Sequence, residues 1–382
     1  MLGAIESRSI DYIPCSFMLF WNISQTCASQ MESIEQQVQL GLDPYVATGP
    51  KRCLHPQVRY HEWTENRNGI KHFCRSFDTP RGPLKGAIRQ IDGWPAKGPL
   101  PLFDDFIVPR IAEPLVKPEE DLEKIPYLFG PFSDEAIASF RENAQEARSI
   151  AEKHGLLLTG GFAYDGYEGL VGAEAMSWLT GFTETMILSL TRVDLIREYA
   201  NIIHDWNMRQ IELILDIAQP DLLVRRAWYE TTEFWTPTAF REIIAPTIRK
   251  EAQIVHQAGK KLGYLITSAF LPILEDILDA GIDVLIGLDP KEGKGTDLAV
   301  VKERFLARKK AIWGGTSGSV TVEMGTVKEN EKAVIEAITI LGQDGGFILS
   351  PVDNVREDTE KTWENTRAYI DTWKRYRTMY GN

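Results

Sequence analysis

From about residue 155 onward, short apolar runs alternate with longer stretches whose apolar residues recur at helical spacing, a pattern that suits repeated β-α units. The runs fall at 156–159, 222–225, 262–267, 284–288, 311–313 and 347–350, and each is largely apolar rather than alternating. Strands of that kind must be covered on both faces, as in a parallel sheet flanked by helices. Between them lie helical segments such as 194–217, in which Ile196, Tyr199, Ile203 and Trp206 recur at helical spacing. Gly155, Gly259, Gly281 and Gly345 each end a helical run just before a strand, where a left-handed helix C-cap belongs.

The stretch 40–130 reads differently. It is rich in proline and glycine and contains alternating pieces at 59–63 and 71–77 joined by Asn66-Arg67-Asn68-Gly69, a turn signature, so a β-hairpin elaboration inserted near the amino terminus is expected. The first strand of the main sheet is expected ahead of it, at 13–19. A length of 382 residues would admit two or three average domains, but no repeat or low-complexity linker divides the chain, so one domain over 1–382 is expected.

Several function classes fall away on composition. A net charge of −12 without any long run of lysine or arginine leaves no footprint for nucleic acid or an anionic membrane. No segment approaches the roughly 20 apolar residues that span a bilayer. Glu6, Arg8 and Asp11 ahead of the short apolar piece 13–21 do not make a signal peptide, and four cysteines confined to the first fifth of the chain do not make a disulfide framework. A cytoplasmic setting is the expectation.

Landmarks along the chain resemble those of the uroporphyrinogen decarboxylase superfamily, in its order and over nearly the whole length, especially its corrinoid-dependent methyltransferases. They are Asp11-Tyr12-Ile13-Pro14, Thr79-Pro80-Arg81-Gly82-Pro83-Leu84, Pro118-Glu119-Glu120-Asp121-Leu122, Gly281-Ile282-Asp283-Val284, Leu298 with Lys302, Trp313-Gly314-Gly315, Gly325-Thr326, Gly345-Gly346-Phe347-Ile348-Leu349-Ser350 and Glu364-Asn365. The resemblance implies an α/β fold, a (β/α)8 TIM barrel carrying the hairpin elaboration, with chemistry at the carboxyl ends of the strands. Two departures matter. The decarboxylases follow the first strand with arginines that grip tetrapyrrole carboxylates, whereas this chain has Cys15-Ser16-Phe17-Met18-Leu19-Phe20-Trp21-Asn22 there. The thiol methyltransferases hold zinc with His-x-Cys and a later cysteine, whereas the corresponding stretches here are Leu265-Ile266-Thr267-Ser268 and Ser350-Pro351-Val352-Asp353, so zinc is not expected.

The strand ends deliver carboxylates and aromatics. Trp228-Tyr229-Glu230-Thr231-Thr232-Glu233-Phe234-Trp235 is the densest piece. A carboxyl group walled by rings favours its protonated form, which makes Glu230 the expected general acid, with Asp353, Tyr164 and Asp165 as further catalytic candidates. Expected substrate contacts are Trp21, Asn22, Arg226, Trp228, Tyr229, Glu233, Trp235, Thr267, Asp289 and Asn354. The same rings would equally cage a quaternary ammonium, with Trp228, Tyr229 and Trp235 around it, or simply pack the barrel rim, and Asp353 would equally cap the helix expected near Glu357. Cys53, His55, His61, His72 and Cys74 form a separate set, readable as a metal site or as plain hairpin side chains.

The leading functional expectation is a methyltransferase or demethylase taking a methyl group from a small donor and passing it to cobalamin on a partner corrinoid protein. Acid help from Glu230 or Asp353 would serve an ether donor, and an amine would need none. No cofactor is expected to be tightly bound to the chain itself, and a homodimer stays open. The alternatives are a decarboxylase acting on a tetrapyrrole, for which Arg226 alone is a thin anchor, and a barrel that binds without catalysis.

Overall fold

The structure is a computed structural model that describes residues 1–91, 100–161, 170–292 and 296–380. Its strands are β1 (Tyr45–Thr48), β2 (Arg59–Arg67), β3 (Ile70–Thr79), β4 (Gly82–Arg89), β5 (Ile111–Glu113), β6 (Leu157–Gly160), β7 (Leu222–Arg226), β8 (Lys261–Leu265), β9 (Val284–Leu288), β10 (Ala311–Ser317) and β11 (Phe347–Val352). Seven of them make a parallel sheet in the order β1-β6-β7-β8-β9-β10-β11, and the remaining four make an antiparallel sheet in the order β2-β3-β4-β5.

The parallel sheet curls so that its strands bury residues on two sides. Leu222 and Val224 of β7 pack inside with Leu265, Val284, Ile286 and Trp313. Leu223, one residue along, packs outward with Leu262, Tyr264 and Leu285 into the layer beneath the helices. Alternate side chains of one strand therefore enter different cores, which explains the continuous apolar runs. The connecting helices include Asp134–His154, Val193–Ile217, Ala245–Gln257, Leu298–Ala307, Val327–Leu341 and Glu360–Tyr376. Gly155, Gly259, Gly281 and Gly345 all take positive φ, as their positions between helix and strand require.

Seven strands are present where eight were expected among the described residues. The expected strand at 13–19 is reduced to a single bridge between Cys15 and Leu349, closed by Ser16 N–H to Leu349 O at 3.0 Å and Leu349 N–H to Pro14 O at 2.9 Å. Pro14 has no N–H to donate, and the Met18 amide turns to the Ser350 hydroxyl at 2.9 Å, so the ladder stops there. The Cys15 carbonyl accepts from Asp43 N–H at 2.8 Å, two residues before β1. That strand, Tyr45–Thr48, lies inside the stretch taken from sequence as pure elaboration.

The hairpin forms as expected and is longer. Arg67 pairs with Ile70, leaving Asn68 and Gly69 as a two-residue turn with φ of 54° and 82°, the positive values that a type I′ turn demands. β4 and β5 extend it to four strands, and Phe77 and Leu84 of this sheet join the main apolar core. Among the described residues no helix is long and apolar enough to cross a membrane.

Candidate active site

β7 ends in two adjacent arginines, and strand alternation sends them to opposite sides of the wall. Arg226, on the side of Leu222 and Val224, lines a cavity of about 750 Å³ at the carboxyl ends of the parallel strands. Its guanidinium lies 4.9 Å from the centre of the Trp178 ring and 4.3 Å from that of Trp228. Glu174 Oε1 is 3.2 Å from its Nε and Asp105 Oδ2 is 3.6 Å from its Nη2. Burial pushes the Glu174 carboxyl up to about 8, despite the opposing charge of Arg226.

The loop after β7 supplies Trp228, Tyr229, Glu233 and Phe234 to the cavity. Tyr229 donates its hydroxyl to Asp105 Oδ1 at 2.5 Å, and Trp178 Nε1 donates to the same oxygen at 2.8 Å. Burial and the Asp105 charge hold the Tyr229 phenol well above its ordinary range. Trp235 is buried behind the loop and donates Nε1–H to the Tyr229 carbonyl at 2.8 Å, so it fixes the loop rather than touching the cavity.

Phe17, Met18, Phe20 and Trp21, from the segment after the Cys15 bridge, form another wall, with Tyr45 of β1 beside them. Trp21 is 48% exposed at the rim, and its N–H donates to Asn354 Oδ1 at 3.2 Å. Thr267 and Ser268 enter from the end of β8, and Glu292 from the loop after β9. Asp353, Asn354 and Arg356 enter after β11. Asp353 Oδ2 accepts from Arg356 Nη2 at 3.3 Å, while its buried Oδ1 has no hydrogen-bond partner. Burial pushes the Asp353 carboxyl up to about 6, although the side chain keeps 28% of its surface open.

Trp21, Arg226, Trp228, Tyr229, Glu233, Thr267, Asp353 and Asn354 thus line the cavity, and four other sequence candidates do not. Glu230 is the main correction. Expected to offer its carboxyl to a ligand, it is 0% exposed and fully engaged: Oε1 accepts from Arg225 Nη2 at 2.6 Å and from Ala173 N–H at 2.8 Å, and Oε2 from the Tyr264 hydroxyl at 2.5 Å. Arg225 Nη1 also donates to both oxygens of Glu251 at 2.7 Å, and Asn207 and His204 bond Glu251 Oε1 at 3.0 and 3.1 Å. Burial works against ionised Glu251, but Arg225 and His204 hold its carboxyl below the usual range. The apolar flanks of Glu230 read correctly as a dry environment; the cation that occupies it was missed.

Asp289 is likewise buried, with Oδ1 accepting from the amides of Lys291 at 2.7 Å and Glu292 at 3.1 Å, so it shapes the loop that carries Glu292. Asn22 is buried outside the lining, its N–H donating to Val355 O at 3.0 Å. Trp235 is the fourth, for the reason given above. Tyr164 and Asp165 lie outside the described residues. Asp353 does not cap a helix: the last helix begins at Glu360 and is capped by Thr359, whose hydroxyl accepts from Thr362 N–H at 3.2 Å. Asp104, Asp105, Glu292 and Arg356 line the cavity without having been singled out in the sequence.

The second candidate set does not gather. Among the described residues no three His, Cys, Asp or Glu side chains are placed to hold one metal ion. His72 Nδ1 is 2.9 Å from the Ile70 carbonyl, His61 is 3.5 Å from Asp78, and the Cys74 thiol receives Arg67 at 3.7 Å.

No protein-family model matches the chain, and no curated protein matches it by sequence. Among solved structures, a methyltransferase from Methanosarcina mazei superposes with a TM-score of 0.61 at 17% identity, covering 98% of this chain and 97% of that one. The chain has the fold of that methyltransferase. The agreement is one of fold, at an identity too low to say more. D-psicose 3-epimerase (TM-score 0.38, 12% identity, 63% of this chain and 85% of that one) and 3-keto-D-glucoside 4-epimerase from E. coli (0.34, 13%, 61% and 84%) match only in part.

Proposed function

We propose that the chain is a methyltransferase that binds a small methylated donor in the 750 Å³ cavity and passes the methyl group to cobalamin carried by a partner corrinoid protein. The observation that carries this reading is a roomy, aromatic-walled cavity at the strand ends of a fold shared end to end with a methyltransferase. The reduced cobalt of the partner would supply the nucleophile. The chain's own work is to hold the donor methyl toward the open rim and to keep water from the reacting atoms. The ring faces around Trp21 and Trp228 suit both tasks.

A tetrapyrrole decarboxylase finds less support here. Asp104, Asp105, Glu233, Glu292 and Asp353 line the cavity, while Arg226 and Arg356 each stand within 3.6 Å of a carboxylate. A substrate with several carboxylates would meet like charge.

The test is methyl transfer from a panel of methylated amines and ethers to free cob(I)alamin, followed by the change in corrinoid absorbance. Turnover with one donor class supports the reading. Loss of activity toward the whole panel, with a corrinoid protein supplied as well, would overturn it.

A further inference from the structure

We infer that the donor is a small cation bearing methyl groups on quaternary nitrogen, held by the rings and carboxylates of the same cavity; this rests on the methyltransferase reading. Three observations lead there. Among the described residues the lining carries five carboxylates against two guanidiniums. Both guanidiniums already have carboxylate neighbours, Arg226 in Glu174 and Asp105, and Arg356 in Asp353. The cavity therefore has a surplus of negative charge, which raises the local concentration of a cationic ligand.

The second observation is the kind of wall. Phe17, Phe20, Trp21, Tyr45, Tyr229 and Phe234 supply ring surface, and ring faces attract cations that have shed their water. Trp228 is a seventh ring, but Arg226 covers one of its faces at 4.3 Å, so the cage is assigned to the other six. A quaternary ammonium has no N–H to donate, so it is recognised by ring faces and by diffuse negative charge rather than by directed acceptors.

The third is the fate of Glu230. An ether donor leaves as an alkoxide or phenoxide and needs a proton, and the carboxyl expected to supply it is committed to Arg225, Ala173 and Tyr264 behind the wall. With a quaternary ammonium the methyl carbon would bond to the acceptor's cobalt as its bond to nitrogen breaks, nitrogen keeps the electron pair, and a neutral tertiary amine departs. The two-electron nucleophile is the reduced cobalt of the partner, the acceptor already named. No proton donor is required, so the withdrawal of Glu230 behind the wall does not hinder that chemistry, and Asp353, which stays in the lining, serves it as negative charge.

The experiment uses the full chain and two probes of nearly one shape: choline, and 3,3-dimethyl-1-butanol, in which carbon replaces the charged nitrogen. Calorimetric titration at low salt should show choline binding at least tenfold tighter than its neutral isostere, with the difference shrinking as salt screens the charge. Trp21→Leu, at the exposed rim, and Glu233→Gln should each weaken choline severalfold and leave the isostere nearly unchanged, with unaltered thermal midpoints showing that both variants fold. Equal affinities for the two probes, tighter binding of the isostere, or no binding of either at millimolar concentration would overturn the inference. Binding is read without turnover, so the two proposals fail separately. Tight choline binding with no methyl transfer from any donor removes the methyltransferase reading and leaves the cation site. Transfer from neutral ethers alone does the opposite.

Discussion

Arg225 and Arg226 are neighbours in sequence and stand on opposite sides of one wall: Arg225 lies among helices with Glu230 at 2.6 Å and Glu251 at 2.7 Å, and Arg226 faces the cavity between Trp178 and Trp228. Strand alternation makes this unavoidable once β7 is in register, with Arg225 opposite Tyr264 and Arg226 opposite Leu265 on β8. The outer arginine ties the loop down through Glu230, and the inner one lines the cavity.

Removing the outer tie should cost stability before it costs chemistry. Glu230→Ala leaves Tyr264, the Ala173 amide and one arm of Arg225 without their partner, and breaking a buried pair costs about 3–5 kcal/mol. A large drop in the urea midpoint is expected, with methyl transfer per folded molecule reduced only through the loosened loop. An unchanged midpoint together with abolished transfer would return Glu230 to the chemistry.

The same tie can be reached from Gly172. A Cβ built there would lie 2.7 Å from the Arg226 carbonyl oxygen and would also collide with the Glu230 carboxyl, so Gly172→Ala must displace the loop. Overpacking of this kind costs about 1–3 kcal/mol. Chemical denaturation checks it, and wild-type stability in the variant would mean that the wall yields easily.

Glu174 sets a pH dependence. Its carboxyl is raised to about 8 in the fold, chiefly by burial, against an ordinary value of 4.5. The unfolded chain therefore loses this proton first, and between pH 4.5 and 8 stability falls as pH rises, by on the order of 3–5 kcal/mol. Below 4.5 the contribution is fully present, and above 8 it is gone. In Glu174→Gln that slope should flatten, which denaturation midpoints across pH 5 to 9 will register. Parallel curves for variant and wild type would show that Arg226 keeps Glu174 ionised throughout.

Asp353 titrates near 6, raised by burial, in a setting that also includes Arg356, Glu292, Asp105 and Arg226. Its negative charge appears as pH rises through 6, so choline affinity should grow from pH 5 to 7 by about two- to fivefold, the size of a partly exposed charge interaction. Asp353→Asn should remove the dependence and keep the lower affinity. A pH profile identical in the two proteins would exclude Asp353 from the binding charge.

The sequence exposed the parallel frame because its signal is redundant. Continuous apolar runs, glycine caps and helical spacing all point to one layered arrangement, and six strands lie within a few residues of their expected positions. β1 escaped because Tyr45-Val46-Ala47-Thr48 is only four residues long and sits in a proline- and glycine-rich neighbourhood. Chemistry was less legible than frame. Whether a carboxyl at a strand end meets substrate or an arginine depends on which side of the wall it occupies, and for Glu230 that is settled by Arg225 and Tyr264 together. Asp105 is more remote still: it lies on a connecting loop and reaches Tyr229, 124 positions away, through one hydrogen bond that no local pattern announces.

That contact joins two frames. Asp104 and Asp105 lie between β4 and β5, while Arg226 and Tyr229, which they approach, follow from β7 of the parallel sheet. Leu102, Phe103 and Val108 hold this segment in the main core, so the exchangeable part is the acidic pair itself. Changing the charge at these two positions would present Arg226 and Tyr229 with a new neighbour while the latch of Arg225, Glu230 and Glu251 stays untouched on the far side. Ligand preference in such variants can drift without each step having to be rescued by repairs to the frame.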